Sequence, residues 1–339
     1  MWKGSLMRKG HFIWEDAQGI NHYVYEWLPS EGINVKGIVQ IAHGMAETAA
    51  RYERLASVLT DQGYAVYAND HLGHGLTAGS PDAVGKYGKD GFHAMVAVMG
   101  QITLQIRSLF EDKWQSGEST ERGIESKHLP LYVLGHSMGS FLTQHYLVSH
   151  MEKYPDHVQG ILLSGSNGKE GAALNAGIAI ATLEAAFRGD HFRSLLLTAL
   201  SFGSFNNHFK PNRTPFDWLS RDEQEVDAYI DDPYCGVVFT SGYFRDFFKG
   251  LKEIHQAQHV NRVRKDIPIY IFSGEDDPVG GHGKGVRKLI KAYEDLGVQD
   301  LSYKLYPGGR HEMLNEINRA EVMQDITAKL DEWVEKNNK

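Results

Sequence analysis

Cysteine is almost missing from this chain: Cys235 is the only one in 339 residues. A single thiol can build neither an internal disulfide nor a thiolate zinc cluster, so a core-stabilised fold in a reducing, cytoplasmic setting is expected. Positive charge is also scarce, with 35 Lys and Arg against 43 Asp and Glu and a formal net charge of -8. No dense basic block offsets that balance, which argues against nucleic acid as a partner. Long apolar runs are lacking near the start, where MWKGSLMRKGHFIWED carries basic residues with no continuous hydrophobic segment behind them. Neither a signal peptide nor a membrane anchor is expected there. Internal repeats and low-complexity tracts are absent as well.

What is present suits a large packed core. Hydrophobic residues make up 42% and aromatic ones 11% of the chain, enough for one large domain with an insertion or for two small ones. HFIWED and HYVYEWLP read as an antiparallel opening pair. KGIVQIAHG, GYAVYAND, LPLYVLGHS and VQGILLSGS are short apolar runs of the kind found in buried parallel strands, and IPIYIFSGEDD and LSYKLYPGG resume the pattern later. Helical spacing is found over Tyr52 to Gln62, Phe92 to Trp114 and Met138 to Lys153, and again from about Arg319. This alternation predicts an α/β sheet protein. Between Asn167 and about Gln258 it lapses into Ala-rich and Leu-rich helical text followed by a polar stretch. The expected organisation is a core of residues 1–166 and 259–339 interrupted by a helical cap at 167–258.

Three residue types that cooperate in acyl transfer fall where strands end. Ser137 sits in Gly-His-Ser-Met-Gly after LYVLGH, the G-x-S-x-G pattern of a strained strand-to-helix corner that presents a nucleophile; a plain glycine turn would look the same in isolation. Asp276 and Asp277 follow IYIFSGE, and His311 follows YKLYPGGR. In an open α/β sheet such positions converge on one crevice at the carboxyl ends of the strands. A serine hydroxyl needs a base to take its proton and the base needs a carboxylate to orient it, which casts His311 and one aspartate. Asp277, just before Pro278 and Val279, is favoured over Asp276, which could equally be a solvated loop charge. The oxyanion of a tetrahedral intermediate would be met by the backbone N–H groups of Met138, after the nucleophile, and Met45, after the strand IVQIAHG.

The set IAHGMAETAARY, ANDHLGHGLT, GHSMGS, SGEDDPV and GGRHEMLNE resembles the monoacylglycerol lipase and lysophospholipase-like, or serine aminopeptidase-like, branch of the α/β-hydrolases, over nearly the whole chain. That resemblance implies an eight-stranded, mostly parallel sheet flanked by helices with an inserted helical cap. It also implies Ser137 as nucleophile, Asp277 as acid, His311 as base, and Met45 and Met138 as oxyanion donors. Glu47 and Arg51 match the family signature H-G-x-x-E-H-x-x-R-Y, with Thr48 where His often stands; they could bind a polar head group or form a helix-start salt bridge. His71 and His74 lie in a glycine-rich loop and His136 beside the elbow, and all three are expected to be structural. No metal or cofactor is expected. The function implied is hydrolysis of lipid-like carboxylic esters, monoacylglycerols or lysophospholipids, through an acyl-enzyme. A general carboxylesterase, thioesterase or aminopeptidase shares the scaffold, and a non-catalytic ligand receptor is the rival from another class. The apolar cap text could simply pack on the sheet and on itself, the commoner role of such stripes, or line an acyl pocket or touch membranes or micelles, and the oligomeric state is left open.

Overall fold

The strands at the centre of the molecule are the runs with no polar face to expose. Gly37–Ala42 (β3), Tyr64–Asn69 (β4), Leu131–His136 (β5), Gly160–Ser164 (β6) and Ile269–Gly274 (β7) are buried at every position. Such strands need cover on both faces of a parallel sheet. Arg8–Glu15 (β1), Asn21–Leu28 (β2) and Leu301–Tyr306 (β8) alternate or are partly exposed, and β1 and β8 form the two edges. In the computed structural model, which describes residues 7–115 and 129–337, one eight-stranded sheet runs in the order β1-β2-β4-β3-β5-β6-β7-β8. β1 and β2, and β2 and β4, pair antiparallel; every other pairing is parallel.

Alternation along the central strands feeds two cores. Ile38, Leu131 and Val133 pack with the helices Gly91–Gln115 and Met138–Lys153 on one face, while Val39, Ile41, Tyr132 and Leu134 meet Glu53–Asp61 and Arg319–Asn337 on the other. These four helices are the ones the spacing predicts, with ends shifted by a residue or less except at Asn337. A further helix, Lys284–Leu296, is not foreseen, because its entry is masked by Gly280, Gly281, Gly283 and Gly285. Between β6 and β7 the chain leaves the sheet and forms four larger helices, Ala172–Arg188, Leu195–Phe202, Glu223–Asp231 and Ser241–Ile254. Among the described residues, no helix is long and apolar enough to cross a membrane.

Candidate active site

Directly after β5, Ser137 takes φ 51° and ψ -120°, a conformation that L-residues adopt only under strain. Neighbouring bonds hold it there: its N–H donates to the Ser164 carbonyl at 2.9 Å and its carbonyl accepts from the Ser140 amide at 2.8 Å. The flanking glycines make the space. A Cβ on Gly135 would strike the Gly139 carbonyl and Thr143 Oγ1, and one on Gly139 would strike the Ala42 carbonyl. The helix Met138–Lys153 therefore begins immediately behind the serine.

The loop after β8 brings His311 to the same place. Its Nδ1 lies 3.0 Å from Asp277 Oδ1, and both side chains are buried. Asp277 Oδ1 also accepts the Val279 amide at 2.8 Å, and Oδ2 accepts the Ser273 hydroxyl at 3.2 Å. Burial works against charge on His311, but the facing Asp277 carboxylate outweighs it and the imidazole pKa is raised. Burial likewise pushes Asp277 up, yet His311 and the donors around the carboxylate bring it below the usual value. Asp276, the competing aspartate, instead has its carboxylate near His208 and His282.

Ser137 and His311 line one cavity of about 510 Å³ whose walls are mostly apolar, with Leu174, Leu197, Phe244, Phe247 and Phe248 among them. Among the described residues no side-chain hydrogen bond joins the two; such bonds commonly tighten only when substrate is seated. The loop after β3 closes the site from the other side. A Cβ on Gly44 would lie 3.2 Å from the Ser137 Cβ, so the chain entering Met45 passes against the serine. Neither the Met45 nor the Met138 amide has an acceptor among the described residues. His43 fixes this loop: Nε2 accepts the His71 amide at 2.9 Å, which leaves the proton on Nδ1 to donate to the Gly44 carbonyl at 2.7 Å. Burial lowers the His43 pKa to about 4, so the ring stays neutral in this role.

Glu47 lines the cavity, and the polar atoms of both Glu47 and Arg51 are engaged by protein partners. Glu47 Oε1 accepts the Gly44 amide at 2.5 Å and the Tyr52 hydroxyl at 2.8 Å, while Oε2 takes Arg51 at 2.7 Å. Arg51 also grips Glu312 with two bonds of 2.6 and 2.7 Å and stacks on Tyr229. The signature is thus a buried brace behind the Gly44–Met45 loop. Its third charged member, Glu312, was not foreseen, although it directly follows His311. Trp218 and Gly165 were missed too. The Trp218 ring lies 5.2 Å from that of His311, and its carbonyl accepts the His311 amide at 3.4 Å. Nothing in the polar text around Trp218 signals this. His136 lines the cavity too, with its ring 4.8 Å from that of His311 and Nδ1 3.1 Å from Ser164 Oγ.

A family model described as serine aminopeptidase, S33, matches residues 33–318, a span that contains every residue of this site. The chain belongs to that family. Among curated relatives, a monoacylglycerol lipase of Mycolicibacterium smegmatis is 27% identical, with 90% of this chain and 91% of that protein covered. A monoglyceride lipase of Homo sapiens is 25% identical over 96% of this chain and 89% of its own length. Among solved structures, a highly thermostable carboxyl esterase from Bacillus coagulans in complex with glycerol superposes with a TM-score of 0.80. It is 25% identical and covers 97% of this chain and 99% of its own. The fold is that of the α/β-hydrolases, as the family resemblance implied.

Proposed function

We propose that this family member is a carboxylic ester hydrolase of lipid-like esters, with monoacylglycerols or lysophospholipids as its substrates. The observation that carries the reading is that His311, held from behind by the buried Asp277, lines the same apolar cavity as the strained Ser137. In this scheme His311 takes the Ser137 proton as Oγ attacks the ester carbonyl. The Met45 and Met138 amides receive the developing oxyanion, and the proton passes to the departing alcohol. Water, deprotonated by the same imidazole, then attacks the acyl-enzyme and frees the acid and Ser137. No step calls for a metal or cofactor.

The helical excursion, taken as a cap over residues 167–258, supplies Leu197, Phe244, Phe247 and Phe248 to the cavity wall. An acyl chain gains about 0.8 kcal/mol per methylene buried there, which favours long chains over acetyl esters. Apolar residues also face outward: Phe187 is 86% exposed, Leu195 72% and Leu200 58%, and Leu200 lines the cavity as well. A transient lipid surface meeting this exposed apolar face would bring substrate to the protein. An aminopeptidase would need an anion for its substrate's amino group; of the cavity carboxylates, Glu47 and Glu312 are engaged by Arg51, which leaves Glu170, bonded to the Asn167 amide at 3.0 Å, as the group that reading would require. The lone Cys235 is buried, in keeping with a cytoplasmic setting.

Hydrolysis of a panel varying acyl length and head group tests the proposal. Release of acid from long-chain monoacylglycerols with loss of turnover in Ser137→Ala supports it. Cleavage of aminoacyl anilides in preference to esters, or undiminished turnover by the variant, overturns it.

A further inference from the structure

Outside the cavity, three side chains from three helices converge without any part in the proposed ester chemistry. His93 comes from Gly91–Gln115, His145 from Met138–Lys153, and Glu253 from Ser241–Ile254, the same helix that carries Phe244, Phe247 and Phe248. His93 Nε2 lies 2.8 Å from Glu253 Oε2, and His145 Nε2 lies 3.2 Å from Glu253 Oε1. One donor atom from each of the three falls within 4.8 Å of the others.

The outer nitrogens of both rings are already occupied. His93 Nδ1 is 2.6 Å from Asp90 Oδ1, and His145 Nδ1 is 3.3 Å from the Ser149 hydroxyl. A carboxylate behind a histidine, fixing its tautomer and turning Nε2 forward, is the usual support of a metal-binding imidazole. It also poses a charge problem. Asp90 and Glu253 are acceptors on opposite sides of His93, and a neutral imidazole has only one N–H to offer. Its remaining lone pair would face a carboxylate unless a positive charge stands between them. A proton on His93 supplies one charge for two carboxylates, whereas a divalent cation supplies two.

We propose that His93, His145 and Glu253 bind a zinc-class divalent cation that fastens the cavity-wall helix Ser241–Ile254 to the sheet-flanking helices. Two imidazoles and a carboxylate form a donor set suited to zinc, with a fourth position left to water. In a tetrahedral site with metal–ligand bonds of about 2.0–2.1 Å, neighbouring donor atoms stand roughly 3.3 Å apart. The 2.8 and 3.2 Å contacts run to the two different oxygens of Glu253, and with one donor atom from each residue the set spans up to 4.8 Å, so side-chain rotation must draw the donors together around the ion. The site is half open to solvent, so an ion has a way in: His93 and Glu253 side chains are 38% and 40% exposed.

Chelator-stripped full-length protein, titrated with zinc chloride alone, gives the test. One equivalent should be retained through gel filtration and should raise the thermal midpoint. His93→Gln and Glu253→Gln should each lose that equivalent and the shift, and Asp90→Asn, which touches no metal, should weaken binding by about 10–100-fold. Cobalt(II) should give a tetrahedral visible spectrum in the wild-type protein, which reports on the site even if a variant folds poorly. Absence of a retained equivalent overturns the assignment. So does undiminished binding in folded His93→Gln, or loss of the equivalent only on changing His208 or His282 at the cluster beside Asp276.

Discussion

Gly165 lies against the ring of His311. A Cβ placed on this glycine would stand 3.0 Å from His311 Cε1 and 3.1 Å from Nδ1, and 3.1 Å from His136 Cε1, while φ at the position is +56°. Gly165→Ala therefore meets a backbone penalty and two imidazoles that cannot both withdraw. We expect a stability loss of about 1–3 kcal/mol. Displacing the base should lower kcat by roughly tenfold or more. Denaturant melts and ester kinetics on the same preparation check this; a stable variant with unchanged kcat would show that the imidazole is not held from this side.

Replacing Asp277 separates orientation from charge. Asp277→Asn keeps the shape but turns an acceptor into a possible donor toward His311 Nδ1, so the wrong tautomer is favoured and kcat should fall by about 10⁴. The pH profile carries a second signature. Because Asp277 raises the His311 pKa against the effect of burial, the acid limb of kcat/KM in the wild type should have its midpoint above the ordinary imidazole value. Activity is then lost as pH falls through that midpoint, since a protonated His311 cannot accept the serine proton. Residual activity of Asp277→Asn should show the limb moved to lower pH.

Much of this site was legible because α/β-hydrolase chemistry is written in short local motifs. Ser137, Asp277 and His311 each stand just beyond an apolar strand, and the topology that gathers strand ends does the rest. The uninterrupted burial of β3 to β7 was equally visible as runs without polar alternation. What remained hidden depends on partners far away in the chain. For Glu47 and Arg51 a ligand and a salt bridge stood open side by side, because the bidentate hold of Glu312, 261 residues from Arg51, cannot be read from a local pattern. Trp218 reaches His311 from a polar loop with no periodicity. The two candidates at Asp276 and Asp277 were adjacent in sequence, and only the direction of each carboxylate distinguishes them.

The brace behind the Gly44–Met45 loop leads to a kinetic prediction. Glu47→Gln retains the side-chain size but weakens the acceptor for the Gly44 amide and the tie to Arg51. A less firmly held Met45 amide should affect the transition state more than the ground state. The expectation is a drop in kcat of roughly 10–100-fold with KM little changed. A raised KM at constant kcat would return Glu47 to the role of substrate ligand.

Buried neutral histidines should make the protein acid-sensitive before its carboxylates do. Burial holds both His43 and His136 at a pKa of about 4. In the unfolded chain they titrate near 6.5. Between these values the unfolded state binds more protons, so their stabilisation is full above about 6.5 and is lost as pH falls toward 4, on the order of 3 kcal/mol each. Asp70 acts in the opposite sense: burial raises it to about 6, so its contribution is present at low pH and is lost as pH rises through that value. Two histidines outweigh one aspartate, and urea midpoints should decline from pH 6.5 to 4.5. A flat profile over that window would mean that these rings are solvated or charged in the native protein.

The outward apolar residues of the helical excursion give the last prediction. Phe187 and Leu195 lie on different helices of the excursion and are 86% and 72% exposed, and Leu195 shares its helix with the cavity-lining Leu200. If this face meets lipid, Phe187→Glu with Leu195→Glu should remove several kcal/mol of interfacial attraction, since each fully buried large side chain contributes about 1.5–3 kcal/mol. Co-sedimentation with phosphatidylcholine vesicles should fall by at least tenfold. Turnover of a short, soluble p-nitrophenyl ester should stay at the wild-type level, because neither residue lines the cavity. Turnover of vesicle-borne monoacylglycerol should drop with the binding. Equal loss on both substrates would place the effect in the folding of the excursion, and unchanged sedimentation would leave these residues to a protein partner.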